Sequence, residues 1–493
     1  MQLIHPQASL APTIEAPEEF RARATTREAA LLDTVRSRLS GAGPVTASAL
    51  AAEIGVVPAQ VDTALAALAS EGVAMSGSFT PGAAETQWCD RGLLARIHRY
   101  TVKRLREEIE PVTTQDFMRF LFRWQHLVPA ERRQGPDALD AIITQLQGFE
   151  APAAAWESEV LPARLDEYDF TWLDDLCLSG RAVWTRLSPP SATSSTPGLI
   201  RTSPIALLPR RAAPIWNRLA APPLANSACL SARAQRVADY LAQHGASFFD
   251  EIVDGTGLLR TQLEEALAEM VASGAVTSDS FAGLRSLLTP SEKRKPFGGR
   301  RGHRRALWGI EEAGRWALRR QAAAEPSARA YDAATVDHIV HTLLRRYGVV
   351  FWRVIQREAA WLPPWRDLLP ALRRLEARGD IRGGRFVAGI SGEQFALPEA
   401  VRALRDARRA TKTDEFVMVS GADPLNLVGV LLPGARIPAL TGNRVLYQDG
   451  LPIAAMVAGE LRRLEALAPE SAALAEEMLV QRRSGSPLLA YLR

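Results

Sequence analysis

The chain has 493 residues, 47% of them hydrophobic and 23% charged, with a net charge of +4 and a mean hydropathy of −0.07. Typical domains hold about 100–150 residues, so three to five are expected, each with a core of its own. The balance excludes a disordered chain, and no apolar run approaches the roughly 20 residues that span a bilayer.

The opening MQLIHPQASLAPTIEAPEEF has no basic start followed by an apolar core, which argues against a secretory signal. Residues 1–25 read as an N-terminal lead, the edge of something longer. Cys89, Cys177 and Cys229 lie far apart without C-x-x-C spacing, against a disulfide framework or zinc site and in favour of a reducing cytoplasm. His338 and His341 have no Cys or further His beside them, so they are expected on one helix face, and neither a metal nor a cofactor is expected. The only lysines are Lys103, Lys293, Lys295 and Lys412, and arginine, whose planar fork suits phosphates, supplies the remaining basic charge. No Gly-Lys pair occurs, so the P-loop of an ATPase motor is absent from this sequence.

Along the chain an internal repeat stands out. ASALAAEIGVVPAQVDTALAALASEGVAMSGSF, ending at Phe79, aligns without a gap on FDEIVDGTGLLRTQLEEALAEMVASGAVTSDSF, ending at Phe281. Gly55 falls on Gly257, Gln60 on Gln262, Ala64 on Ala266 and Gly72 on Gly274. Each copy predicts a helix, a turn at glycine, a second helix with apolar residues three and four apart, a glycine stop and a short strand: a helix-turn-helix with a wing. Looser copies end at Gly180 and Gly379, so winged helices are expected over 26–82, 93–188, 230–290 and 333–397. Residues 189–229, opening on PPSATSSTPG, read as a linker, and 293–332, opening on KRKPFGGRRGHRR, as a basic connector. Arg300, Arg301, Arg304 and Arg305 in that strip either track phosphates or are simply solvated.

After Ala410 the pattern changes. EFVMV, LVGVLL, ARIPAL and RVLYQDGLPIAAMV predict short strands, with a hairpin turn at Asp449-Gly450, and a small antiparallel β-barrel is expected over 411–458. Residues 459–493 carry a charged, helical pattern, expected to cap the barrel or to mediate self-association, which leaves a homo-oligomer open. The expected class is mainly α with small β wings: tandem winged helices followed by the barrel.

Particular runs add a resemblance. Trp88–Thr101, continuing through Lys103 and Arg104 to Val112, Phe122–His126, Leu146–Glu157, Ser391–Pro398 and Asp423–Leu427 together resemble the region beyond the helicase core in large helicase-related (Lhr) proteins. The resemblance covers nearly the whole chain. It implies the C-terminal part of a DNA-repair helicase whose motor precedes this region, so that the chain is a fragment, a separate gene product or one half of a split protein. It also implies DNA, single-stranded or forked, as a partner, with a separate motor polypeptide as a second.

The same region looks like AlkZ-type DNA glycosylases, whose Gln-apolar-Gln or Gln-apolar-Asp motif falls here on Glu150-Ala151-Pro152. Proline removes the motif's second polar group and leaves Glu150 as the carboxylate that could stabilise a cationic sugar and orient water. The alternative is a helix-terminal or salt-bridged glutamate. Asp423 is either a second carboxylate or a turn cap before Pro424. Trp124 and Trp156 either stack a base or fill cores. Lys103 and Arg104 are taken as phosphate contacts. A DNA-binding module is the first expectation and a glycosylase excising uracil or another damaged base the second.

Overall fold

A computed structural model describes residues 3–7, 18, 26–107, 109–189, 199–219, 230–289, 310, 314–319, 331–412, 414–465 and 469–480. It divides into two compact units, Met1–Glu108 and Ile109–Arg493.

The first unit holds helix α1 (Arg27–Ala42), strand β1 (Val45–Thr46), α2 (Ala47–Ile54), α3 (Pro58–Ser70), β2 (Ala74–Gly77), β3 (Gln87–Asp90) and α4 (Arg91–Glu107). Thr26 and Thr46 start α1 and α2 by accepting the amides of Ala29 and Ala49. Gly55, at φ +74°, ends α2 in the left-handed conformation that makes the sharp turn into α3. Val35, Leu39, Leu50, Val61, Leu65 and Leu68 are fully buried between the three helices, each worth about 1.5–3 kcal/mol. The strands pair antiparallel in the order β1-β3-β2, so the last in sequence lies in the middle.

The second unit repeats that plan three times. Its first copy contains α5 (Thr114–Trp124), α6 (Pro136–Leu146), β4 (Glu150–Pro152), a short helix α7 (Leu161–Arg164), α8 (Phe170–Leu178), β5 (Ala182–Thr185), β6 (Pro204–Pro209) and α9 (Ala213–Leu219). Next come α10 (Ala232–His244), β7 (Ser247–Phe248), α11 (Phe249–Thr256), α12 (Arg260–Ser273), β8 (Val276–Ser278), α13 (Phe281–Leu288) and β9 (Arg315–Leu318). The last copy has α14 (Ala333–Tyr347), β10 (Val349–Phe351), α15 (Trp352–Ile355), α16 (Trp365–Arg378), β11 (Arg382–Gly384), β12 (Gln394–Ala396) and α17 (Pro398–Arg409). Their sheets run β4-β6-β5, β7-β9-β8 and β10-β12-β11, the order seen in the first unit. These are winged helices in a mostly helical chain with small sheets.

Two stretches differ from their composition. Residues 189–229, expected as a linker, contain β6 and α9, because β6 is apolar (PIALLP) and supplies the central strand that β4 and β5 both need. The connector 293–332 likewise contains β9, whose Trp316 is fully buried. In that third winged helix the repeat also changes use: Phe79 lies outside any helix or strand, whereas Ser280 caps α13 by accepting the Ala282 amide, so a helix interrupts the wing at Phe281. Arg300, Arg301, Arg304 and Arg305 lie outside the described residues.

The end of the chain forms a four-stranded antiparallel meander of β13 (Phe416–Ser420), β14 (Arg444–Gln448), β15 (Leu451–Val457) and β16 (Glu460–Arg463), followed by α18 (Pro469–Val480). No closed barrel is found among the described residues. EFVMV and RVLYQDGLPIAAMV form strands as expected, with Asp449 and Gly450 both at positive φ, but LVGVLL and ARIPAL do not. The Leu427 carbonyl accepts the amides of Val430, Leu431 and Leu432 at 2.9–3.2 Å and curls that run into a tight turn. Asn426 then ties the following segment down, donating to the carbonyls of Gly421 and Ile437 at 2.9 Å. The stretch from 459, expected to be helical, opens with β16 before reaching α18, whose Ala475 and Leu479 pack on Leu446 and Ile453.

Candidate functional site

Glu150 opens β4 half-buried. Its Oε1 accepts the amides of Leu187 (2.7 Å) and Ser188 (2.9 Å), and its Oε2 accepts the Ser188 hydroxyl. Three of a carboxylate's roughly four acceptor positions are therefore taken. Ser188 in turn receives the Trp361 indole N–H at 3.3 Å. Burial pushes the guanidinium groups of Arg186 and Arg319 down, and the Glu150 charge offsets part of that effect in both. Here the carboxylate pins the chain leaving β5.

Asp423 is 1% exposed and makes a two-pronged ion pair with the fully buried Arg164, at 2.6 and 3.0 Å. Arg164 also donates to the Gln125 side chain (2.6 Å) and the Val160 carbonyl (3.0 Å). Asp423 further accepts the Leu425 amide at 2.9 Å across Pro424, the bond of a turn cap. Arg357 ties this turn to the start of β4: its guanidinium lies 5.3 Å over the ring of Phe149, the residue before Glu150, and donates to the Asp423 carbonyl at 3.1 Å.

The two tryptophans separate. Trp156 is fully buried and gives its N–H to the Ile205 carbonyl at 2.7 Å, filling the core between β4 and β6. Trp124, half-buried, gives its N–H to the Arg345 carbonyl at 2.9 Å and lines a cavity together with Phe120, His126 and Arg345. Among the described residues no three His, Cys, Asp or Glu side chains gather into a metal-binding group, and no single helix is long and apolar enough to cross a membrane.

Charge is unevenly placed on the helices. In a winged helix the second helix of the helix-turn-helix is the usual groove reader. Here α3 has no Lys or Arg, α8 carries Asp174 and Asp175 with no base, and α12 sets Arg260 against Glu264, Glu265 and Glu269. In α16, Arg366, Arg373, Arg374 and Arg378 pair with Asp367, Glu393, Asp337 and Asp380. Positive charge collects instead on α4, where Arg96, Arg99 and Lys103 recur at three- and four-residue spacing, all exposed, and no residue of the helix is buried. Arg104 is exposed one position further round, and Lys103 meets Glu107 at a loose 3.8 Å.

Sequence patterns did not mark the buried arginines. Arg285 holds Glu157 and Asp174 at 2.7–2.8 Å, and Arg346 holds Glu358, whose carboxylate also takes the Tyr347 hydroxyl. These partners lie far apart in the chain or in different elements, so no local spacing could have found them.

Two domain models, each described as a winged-helix domain of large helicase-related protein, match residues 112–210 and 329–416. The chain is 29% identical over 412 residues to the "Lhr helicase/ probable uracil glycosylase" of Mycolicibacterium smegmatis, covering 79% of this chain and 26% of that protein. It is 30% identical over 434 residues to the "Lhr helicase/uracil glycosylase" of Escherichia coli, covering 80% of this chain and 26% of that protein. The chain thus spans about a quarter of the length of the curated relatives it matches. Two family-specific winged-helix domains, together with a likeness to two such proteins over about four fifths of the chain, place this chain with the C-terminal region of the large helicase-related proteins.

Proposed function

We propose that the chain binds DNA, with preference for single-stranded or forked forms, as the C-terminal module of a large helicase-related protein and in concert with a motor that this sequence does not encode. The exposed row Arg96, Arg99 and Lys103 on α4, with Arg104 beside it, carries the reading. Such a row meets phosphates without reading bases, which fits second helices that are neutral, acidic or already ion-paired. Arg300, Arg301, Arg304 and Arg305 add a second basic segment on this reading. Binding of labelled single-stranded, forked and duplex oligonucleotides at several salt concentrations tests it. Affinity should fall steeply with salt, and alanines at Arg96, Arg99 and Lys103 should weaken every DNA form alike; salt-independent binding, or none at micromolar protein, would overturn the proposal.

A second reading, excision of uracil or another damaged base through Glu150, is favoured by one observation: Glu150 is half-buried with an acceptor position left over, and its partner Ser188 also receives the half-buried Trp361. The relatives' names point the same way for those proteins. Release of free uracil from labelled single-stranded DNA tests it. Glu150→Gln should lower the rate about a hundredfold with DNA affinity kept; an unchanged rate, or no release by the unaltered chain, ends this reading.

A further inference from the structure

A cavity of about 450 Å³ opens between α5, α6, α14 and α17, within the roughly 300–1,000 Å³ range of small-ligand sites. Its aromatic wall is Trp124, held by the 2.9 Å bond to the Arg345 carbonyl and backed by the Phe120 ring with centroids 5.4 Å apart. A ring fixed in this way loses little freedom when a second planar group stacks on it. The rim is basic: Arg133 and Arg345 are exposed, and Arg123 meets Glu131 only at 3.7 Å. Asp406 is the remaining acid of the lining. His126 sits in the wall at φ +59°, a left-handed conformation that non-glycine residues adopt at a cost and that gathers at binding sites. Burial, with Arg133 and Arg164 adding to it, lowers its imidazole to about 4, so the ring is neutral at pH 7 and both donates and accepts hydrogen bonds.

Helix α17 gives the cavity Ala403, Asp406 and Ala407 and carries on its adjoining face Arg402, Arg405 and Arg409. These three are exposed, recur every three or four residues and span about 10 Å at 1.5 Å per residue. Arg408, pointing elsewhere on the helix, pairs with Glu110. Exposed Lys412 continues the basic run beyond the helix end.

We infer that α17 and this cavity form a track for a single DNA strand, in which the arginine row holds successive phosphates and one unpaired base turns out of the strand to lie on Trp124. Stacking on an aromatic face is tolerant of base identity, and the acids and neutral imidazole offer partners to base edges. A paired base cannot enter the cavity, so the track selects single-stranded over duplex DNA. The inference rests on the DNA-binding reading above and adds to it a surface on the second unit.

The test uses the full chain and a fluorescein-labelled dT15 strand, read by anisotropy over a salt series. Replacing Arg402, Arg405 and Arg409 together by alanine should lower affinity at least tenfold at low salt. It should also reduce the salt slope by about 2, at roughly 0.7 for each phosphate that an arginine no longer neutralises on a single strand. Trp124→Ala should weaken binding about tenfold with the slope unchanged, and Trp124→Phe should retain most of it. With 2-aminopurine at the strand centre, the fluorescence change on binding should disappear in Trp124→Ala. Should that variant fail to fold, Arg345→Glu, altered only at the exposed rim, should weaken binding by a similar factor. If the unaltered chain binds dT15 and the triple, Trp124 and Arg345 variants bind as it does, the track is wrong while DNA binding stands. If the unaltered chain binds no oligonucleotide, both fall together.

Discussion

Replacing Asp423 by asparagine separates its structural role from any chemical one. The carboxylate is 1% exposed and the Arg164 guanidinium fully buried, so neither charge has water to fall back on. Arg164 would keep its bonds to Gln125 and the Val160 carbonyl but lose its counter-charge. Breaking a buried pair from one side costs about 3–5 kcal/mol, because the remaining ion stays desolvated. In a unit the size of Ile109–Arg493, with an unfolding entropy of about 2.1 cal/mol/K per residue, each kcal/mol is worth about 1–1.5 °C, so the melting transition should drop by roughly 3–8 °C. Arg164→Met should cost about as much, and the double change to Arg164→Met with Asp423→Leu should recover much of the loss. Differential scanning fluorimetry of the four proteins reads this out. If Asp423→Asn melts within about 1 °C of the unaltered chain, no more than a single kcal/mol would shift it, the pair is not what fastens the turn after β13 to α7. A loss of base release in that variant would then point to chemistry in the sheet.

Other expectations follow from single contacts. Gly148 has φ +79°, and a Cβ there would lie 2.2 Å from the Trp216 ring, so Gly148→Ala should cost about 2–5 kcal/mol and show as a lowered melting temperature; an unchanged one would refute that packing. His126 takes a proton at about 4 in the folded chain and near 6.5 when unfolded, so stability is lost as pH falls through that window. Because asparagine tolerates positive φ and has no such proton, His126→Asn should lose less of its melting temperature between pH 7 and pH 5 than the unaltered chain. Replacing Arg285 by alanine strands Glu157 and Asp174, both buried, and should destabilise by about 3–5 kcal/mol in chemical denaturation, whereas Arg36→Ala, which breaks only an exposed pair with Glu71, should cost under about 1 kcal/mol.

What was legible in the sequence was what local backbone chemistry dictates. Gly55, Gly257 and Gly274 adopt the left-handed conformation at helix ends, and Asp449-Gly450 makes its hairpin, because few other residues take those angles cheaply. The helix-turn-helix repeat was legible for the same reason. The closing strands were not: β6 and β9 return after stretches whose Pro, Ser, Gly and Arg content has no strand period, and only their partners show where they belong. Nor could LVGVLL be told from a buried strand, since a curled apolar turn and a strand share that composition. Glu150 and Asp423 stand out in the sequence as carboxylates, but their partners are 37 and 259 residues away, a separation that no motif spans. Trp124 and Trp156 are alike in sequence and differ only in what the fold places above the ring.

The strand order common to all four small sheets bears on synthesis. In each, the middle strand is the last to be translated, so the two outer strands wait with unpaired backbone edges until it emerges from the ribosome. For most modules that wait is short. In the third it extends from Ser278 past α13 to Arg315, and a nascent chain halted there would present β7 and β8 as open templates to any neighbouring strand. Chaperone dependence during translation should therefore peak while residues 279–314 leave the exit tunnel, and it should decline once Trp316 can enter its core.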